Sequence, residues 1–343
     1  MFPIAFGSAR SRAVLQCSLH AKANTVLDMK TATIVLAVAL VAPAAAADFT
    51  VTFSVTREVR GAVYPIDSTN SQCSSNDGCT CYGGAARRRT KLGSRTVGDD
   101  VIVLDTGSYF TGSGTFFYAF EGDASAEFFA DSGYDAYGLT YRDLGAGSNI
   151  TSLVKFLTKV SADDTDLPPA TITNMNATAV TALGSLGSLV QTYTLVDISV
   201  GKVGVLSLTD PTHLDFPEYN DDLLQDYRRS LLIAVATLRD LPTSSRPLVI
   251  VCMISGMPVS HEEAHAAGSH TAAATAKLHT LVDEVIGVDL YILGDFLVTS
   301  SAPYTRTNWA GKSVGIITTR DQRYGKTIDD ITATFTDLSV AEE

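Results

Sequence analysis

The chain has 343 residues, 45% of them hydrophobic, and a formal charge of −12 at neutral pH. That acidity argues against nucleic acid and anionic lipid as partners, because a surface of one sign repels polymers of the same sign. Length and hydrophobic fraction provide for a large core, in one big domain or one domain plus a fragment, and not for a disordered chain.

Residues 1–28 form an upstream extension of unknown role; a misplaced start codon and the first half of a two-part targeting signal both account for it. Met29 and Lys30 then open the apolar run TATIVLAVALVAPAAAA, which ends in small residues before Asp48. Residues 29–47 read as a secretory signal peptide cleaved near Ala47. The run is 17 residues long and contains Pro43, short for a membrane span of ~20. No transmembrane segment is therefore expected after cleavage. Removing residues 1–47 takes away Arg10, Arg12, Lys22, Lys30 and Asp28, a net of three positive charges, so the mature charge becomes −15.

The strand-like run FTVTFSV (49–55) comes first. Three cysteines then crowd into CSSNDGCTC, and in an oxidising compartment this spacing favours a small local disulfide from Cys73 to either Cys79 or Cys81. A zinc knuckle is the rival, but no second Cys or His pair follows at ligand spacing. Helix-like ARRRTKLGSR (86–95), strand-like VIVLD (101–105), helix-like DASAEFFADSG (123–133) and TSLVKFLTKV (151–160) follow, then strand-like TYTLVDISV (192–200) and KVGVLSL (202–208). Helix-like NDDLLQDYRRSLLIAVATLRDL (220–241), strand-like PLVIVCMI (247–254), helix-like TAAATAKLHTLVDEVIG (271–287) and strand-like VDLYIL (288–293) complete the alternation. After a turn-rich APYTRTNWAGK come two more strand-like runs, SVGIITT and DITATFTDL. Such alternation predicts an α/β layered fold around a largely buried sheet. Cys252, inside LVIVCM, reads as a buried thiol. Sequons at Asn149 and Asn176 fit a secreted glycoprotein.

The stretch VIVLDTGSYFTGSG (101–114) admits two chemistries. Asp-Thr-Gly-Ser after an apolar run suggests an aspartic protease, which needs two aspartates sharing one proton. The second candidate, Asp131-Ser132-Gly133, is only 26 residues from Asp105, too close for a second lobe. Leu-Asp-x-Gly-x-x-Phe-x-Gly is also the skeleton of a metal-dependent phosphoesterase loop, and other blocks in the right order support this reading. FTVTFSVTREVRG (49–61), CYGGAARRRTKL (81–92), LDTGSYFTGSG (104–114), GYDAYGLTYRDLG (133–145), GKVGVLSLTDP (201–211), LVIVCMISG (248–256) and GVDLYILGDF (287–296) together resemble the N-terminal catalytic domain of secreted 5′-nucleotidases, within the calcineurin-like metallophosphoesterases. The resemblance implies a four-layer α/β-β-α sandwich over residues 48–300, with 301–343 as closing strands and tail. It also implies that the family's C-terminal nucleotide-specificity domain is absent.

Family members hold two metal ions that polarise the phosphate and activate water. By the same resemblance, the ligand positions of this chain hold Thr56, Glu58, Ser108, Tyr141, Ile254 and Asp295, and Arg142 stands where a phosphate-assisting histidine belongs. All six ligand positions are thus changed, while scaffold residues such as Gly83, Gly84, Arg87, Asp105, Gly107, Tyr134, Asp135 and Asp289 persist. Asp105 is then the family's strand-end aspartate and not its bridging ligand. Two carboxylates without that bridge do not hold ions ~3.5–4 Å apart.

The expectation is a secreted, non-catalytic protein with the 5′-nucleotidase-type sandwich and no cofactor. It would bind an extracellular protein, glycan or nucleotide ligand, or serve an extracellular structure. One alternative is a hydrolase with a rebuilt Zn or Mn site on Glu58 and Asp295, helped by Asp105 or Asp143. Another is a zinc site on His261-Glu262-Glu263-Ala264-His265 with His270, a literal H-E-x-x-H; the blander reading is a solvated, Ala-rich helix start. Arg87, Arg88, Arg89 and Lys91 read as a scaffold arginine plus a solvated helix face, with an anion patch as the alternative.

Overall fold

Strand β1 (Asp48–Thr56) buries Phe49, Val51, Phe53 and Val55 while Thr50 and Thr52 stay accessible. This is the period-2 pattern of a strand with one face on a core. A computed structural model describes residues 48–57, 59, 63–65, 67, 72–73, 81, 83–93, 100–108, 123–140, 143–144, 151–163, 167–182, 184–209, 224–255, 261–293, 304–307, 313–318 and 329–336. All belong to the unit Ala44–Glu343. The expected signal peptide and upstream extension lie outside the described residues.

β1 pairs in parallel with β2 (Val101–Asp105), and β2 in parallel with β3 (Ala136–Tyr137). Strands β4 (Ala170–Thr171) and β5 (Val190–Gln191) form a small parallel pair of their own. In the second sheet, β6 (Thr194–Ile198) runs antiparallel to β7 (Gly201–Leu208), which is parallel to β8 (Val249–Ile254), which is parallel to β9 (Leu290–Leu293). β10 (Tyr304–Thr307) and β11 (Ser313–Thr318) extend this sheet to the order β10-β11-β9-β8-β7-β6. β12 (Asp329–Thr336) returns antiparallel to β1, so the first sheet reads β12-β1-β2-β3.

The described helices are α1 (Ala85–Leu92), α2 (Asp123–Ala130), α3 (Thr151–Asp163), α4 (Ala177–Ala182), α5 (Tyr227–Arg239), α6 (His261–Ala266) and α7 (His270–Glu284). Three apolar cores separate the layers. Val51, Phe53, Val55, Ile102 and Leu104 face Val203, Val205, Val251 and Met253 between the sheets. On the outer face of the first sheet, Val103 and Tyr137 pack with Phe129 of α2 and Phe156 of α3. Ile250, Cys252 and Ile254, the alternate residues of β8, pack on the other side with Leu231 and Leu238 of α5 and Leu278 and Leu281 of α7. The result is the expected four-layer α/β-β-α sandwich. Full burial of β8 on both faces explains its unbroken apolar run.

Two elements depart from the sequence reading. α5 starts at Tyr227, later than expected from NDDLLQD, because Asp226 caps it: its carboxylate accepts the Arg229 N–H at 2.7 Å, satisfying one of the free donors of the first turn. The segment read as turn-rich after Ala302 contains an edge strand, β10.

Candidate functional site

Ligand sites in α/β sheets form beyond the carboxyl ends of parallel strands, and here those ends meet. The Thr209 hydroxyl, after β7, donates to the Leu139 carbonyl, after β3, so the two sheets open on one edge. There Thr56 and Asp105, the last residues of β1 and β2, are register partners, both buried. The Thr56 hydroxyl donates to Asp105 Oδ2 and lies 2.9 Å from the Tyr134 hydroxyl. One hydroxyl carries one proton, so Tyr134 is the donor in the second bond. Phe129 stacks against Tyr134 with ring centroids 4.7 Å apart, which fixes that donor.

Beyond Asp105 the chain turns sharply, with Gly107 at φ 104° and Ser108 at φ 59°. Gly107 has to be glycine, since an ideal Cβ there would lie 2.7 Å from Thr140 Cγ2 and 2.8 Å from Thr140 N. Its N–H donates to Asp105 Oδ1 at 2.8 Å. The turn aims the Ser108 N–H at Asp143 Oδ2, 2.7 Å away, an oxygen that also accepts the Thr140 N–H at 2.8 Å and the Thr140 hydroxyl at 3.1 Å. Ser108 Oγ and Thr140 Oγ1 are 2.8 Å apart. A non-glycine residue at positive φ carries strain, and the buried Asp143 carboxylate offsets it.

Burial, above all, pushes the Asp105 carboxyl up to about 7, and the charge of Asp143 adds to the push. Hydrogen bonds from Thr56 and the Gly107 N–H, and the charge of Arg88, act the other way. Arg88 is only 2% exposed, which corrects the reading of this arginine as part of a solvated face: the helix turns it inward, where its charge acts on Asp105. Arg87 and Arg89 are exposed; Arg87 donates to the Cys81 carbonyl at 2.8 Å, and Arg89 pairs with Asp131. A surface depression of about 470 Å³ lies over Ala86, Arg87, Thr90 and Lys91 on the outward side of this helix.

Of the positions that the sequence marked as degenerate, the structure brings together Thr56 and Ser108 through the 105–108 turn. Ile254 is fully buried in the core between β8 and the helices α5 and α7. Glu58, Tyr141, Arg142 and Asp295 lie outside the described residues. Those that are described do not fit a pair of divalent cations: one hydroxyl engaged with a carboxylate, one engaged with another hydroxyl, and one aliphatic side chain. Among the described residues no three His, Cys, Asp or Glu side chains converge. Thr140 and Arg88 are the site residues that sequence reasoning missed. A Thr-x-x-Asp spacing from Thr140 to Asp143 was the available signal for the first, since such pairs close local turns.

The H-E-x-x-H segment forms the short helix α6, with Glu262, Glu263 and His265 exposed. Glu263 pairs with Lys277 of α7 at 2.9 Å; the side chains of His261 and His270 lie outside the described residues. The disulfide joins Cys73 to Cys81, which resolves the choice, and Cys79 lies outside the described residues. Cys252 is a buried free thiol. Asn176 is partly buried just before α4, and Asn149 lies outside the described residues. No described helix is long and apolar enough to cross a membrane.

No protein-family model matches the chain. A snake venom 5′-nucleotidase from Gloydius brevicauda is 28% identical over 168 residues, covering 48% of this chain and 26% of the venom protein. The NAD nucleotidase NadN of Haemophilus influenzae superimposes with a TM-score of 0.59 at 14% identity, over 84% of this chain and 48% of its own. The calcineurin-like phosphoesterase YfkN of Bacillus subtilis superimposes with a TM-score of 0.53 at 13% identity, over 86% of this chain and 92% of its own. The chain thus spans about a quarter of the venom relative and about half of NadN. Its fold is the one shared with these phosphoesterase structures, and over 168 residues its sequence is similar to that of the venom 5′-nucleotidase.

Proposed function

We propose that this protein is a secreted metallophosphoesterase-fold protein that does not hydrolyse phosphate esters and acts by binding an extracellular protein, glycan or nucleotide ligand. The observation that carries this reading is the chemistry at the strand ends. Thr56 offers a neutral hydroxyl engaged with the buried Asp105 carboxylate, Ser108 a neutral hydroxyl engaged with the Thr140 hydroxyl, and Ile254 no donor atom. Two cations and an activated water need several anionic and imidazole ligands in one cleft. Secretion is supported by the apolar segment 29–47, by the Cys73–Cys81 disulfide, a bond of oxidising compartments, and by the similarity to a venom protein. The sequons at Asn149 and Asn176 would then carry glycans.

The test combines metal content by mass spectrometry with hydrolysis of AMP and bis(p-nitrophenyl) phosphate in the presence of Mn²⁺ or Zn²⁺. The expected result is no bound stoichiometric metal pair and no turnover above the uncatalysed rate. Two equivalents of metal together with turnover would refute the reading.

A further inference from the structure

We infer that the carboxyl ends of β1 and β2 are closed by a cation-independent clasp of hydroxyls and carboxylates, built from Thr56, Asp105, Tyr134, Ser108, Thr140 and Asp143. The inference rests on the reading of the cleft as non-catalytic and adds what holds the cleft together. A dication pair ties strand ends by drawing ligands from several loops onto one charge. Here Thr56, residues 105–108, Tyr134, Thr140 and Asp143 are joined directly instead.

The connections form two chains of donors. Tyr134 O–H donates to Thr56 and Thr56 O–H to Asp105, whose other oxygen takes the Gly107 N–H. Ser108 O–H donates to Thr140 and Thr140 O–H to Asp143, which also takes the N–H groups of Ser108 and Thr140. Backbone bonds run alongside: the Thr106 N–H to the Thr56 carbonyl at 3.0 Å and the Gly138 N–H to the Asp105 carbonyl at 2.8 Å. With Asp105 ionised, every hydroxyl proton in the cluster has an acceptor inside it, while Asp143 Oδ1 takes none of these bonds. The members from Thr56 to Asp143 are 5% exposed or less, so water does not supply these bonds. In a buried, low-dielectric network, removing one member leaves its partner unpaired at a high cost.

The experiment uses the full chain and follows its thermal midpoint after exhaustive EDTA treatment, then with 1 mM Mn²⁺ or Zn²⁺ added. The clasp predicts midpoints within about 1 °C of each other, because an ion bound only by the folded state raises the midpoint by mass action. A rise of about 5 °C or more with either metal overturns it. In parallel, Thr56→Val removes the hydroxyl at constant shape and is expected to lower the midpoint by roughly 4 °C or more. Thr56→Ser restores the hydroxyl and is expected to stay within about 2 °C of the parent. Should the valine variant fail to fold, Ser108→Ala, which cuts the second chain, is expected to lower the midpoint by roughly 2 °C or more. Alanine or valine variants as stable as the parent overturn the clasp. A metal-raised midpoint without turnover sinks the clasp alone, whereas turnover sinks the non-catalytic reading.

Discussion

Asp135 and Asp289 occupy equivalent places in the two sheets. Each immediately precedes a parallel strand and turns its carboxylate onto the neighbouring strand: the Val103 N–H donates to Asp135 Oδ2 at 2.7 Å, and the Ile250 N–H to Asp289 Oδ2 at 2.9 Å. Each also donates its own N–H back, to the Val103 carbonyl at 2.9 Å and the Ile250 carbonyl at 2.8 Å. The ladder is thereby extended by one side chain where a strand begins. Removing either acceptor strands a backbone donor at a sheet entrance, at about 1–3 kcal/mol. Asp135→Ala and Asp289→Ala should therefore lower stability in urea by about that amount, and the Asn variants, which keep an acceptor, by less. Arg239 also donates to Asp289 at 3.2 Å, so Arg239→Ala and Asp289→Ala should be non-additive in a double-mutant cycle.

Arg88 and Arg89 are neighbours in sequence with opposite fates. Arg88 is 2% exposed and its charge acts on Asp105; the Arg89–Asp131 pair has side chains 60% and 53% exposed. Breaking a buried charge arrangement leaves an uncompensated group and costs roughly 3–5 kcal/mol, whereas solvated pairs contribute about 0–1 kcal/mol. Chemical denaturation of Arg88→Ala and Arg89→Ala should separate them by at least about 2 kcal/mol. Equal effects would mean that the inward arginine bears no load.

Gly107→Ala tests the turn after β2. The substitution demands φ near 104° from a residue with a Cβ, and places that Cβ 2.7 Å from Thr140 Cγ2. Backbone strain of about 1–3 kcal/mol and overpacking of about 1–3 kcal/mol act together. The expected outcome is a loss of at least about 3 kcal/mol in urea unfolding, enough to reduce the yield of folded protein. A variant of parental stability would show that the turn has room to relax.

The sheets were legible because their pattern is local. FTVTFSV alternates with period 2 and VIVCMI is apolar throughout, and they fold as a one-faced and a two-faced strand. Helix α5 was overextended because LL and YRRSLL share an apolar period, while Asp226, three residues before the Arg229 N–H it accepts, marks the true start. β10 escaped notice because Pro303 and Gly311 flank it, and an edge strand carries little burial signal. The site was legible only in part. Asp105 and Gly107 announce themselves by strand end and turn chemistry. Which of Arg87, Arg88 and Arg89 turns inward depends on what α1 covers, and the link from Ser108 to Asp143 joins segments 35 residues apart. No local period encodes either.

The Asp105 carboxyl rises from 3.8 to about 7 on folding, mainly through burial. Between roughly pH 4 and pH 7 the folded state therefore binds a proton that the unfolded chain has released. Unfolding free energy must fall as pH rises through that window and level off above it. The sign is opposite to that of a carboxylate stabilised by a salt bridge, whose contribution is lost on acidification. From pH 5 to pH 8 the loss amounts to about 2–3 kcal/mol at 1.36 kcal/mol per pH unit. Asp105→Asn keeps an acceptor for the Gly107 N–H and has no titrating proton; its NH2 replaces the acceptor of the Thr56 hydroxyl, at a cost that is the same at every pH. Urea midpoints of parent and variant measured at pH 5, 6, 7 and 8 cancel every other titration in their difference. The parent should lose stability relative to Asp105→Asn with rising pH, most steeply between pH 5 and 7. Parallel curves would mean that Asp105 is ionised in the folded protein across the whole range, with Arg88 and Thr56 outweighing burial.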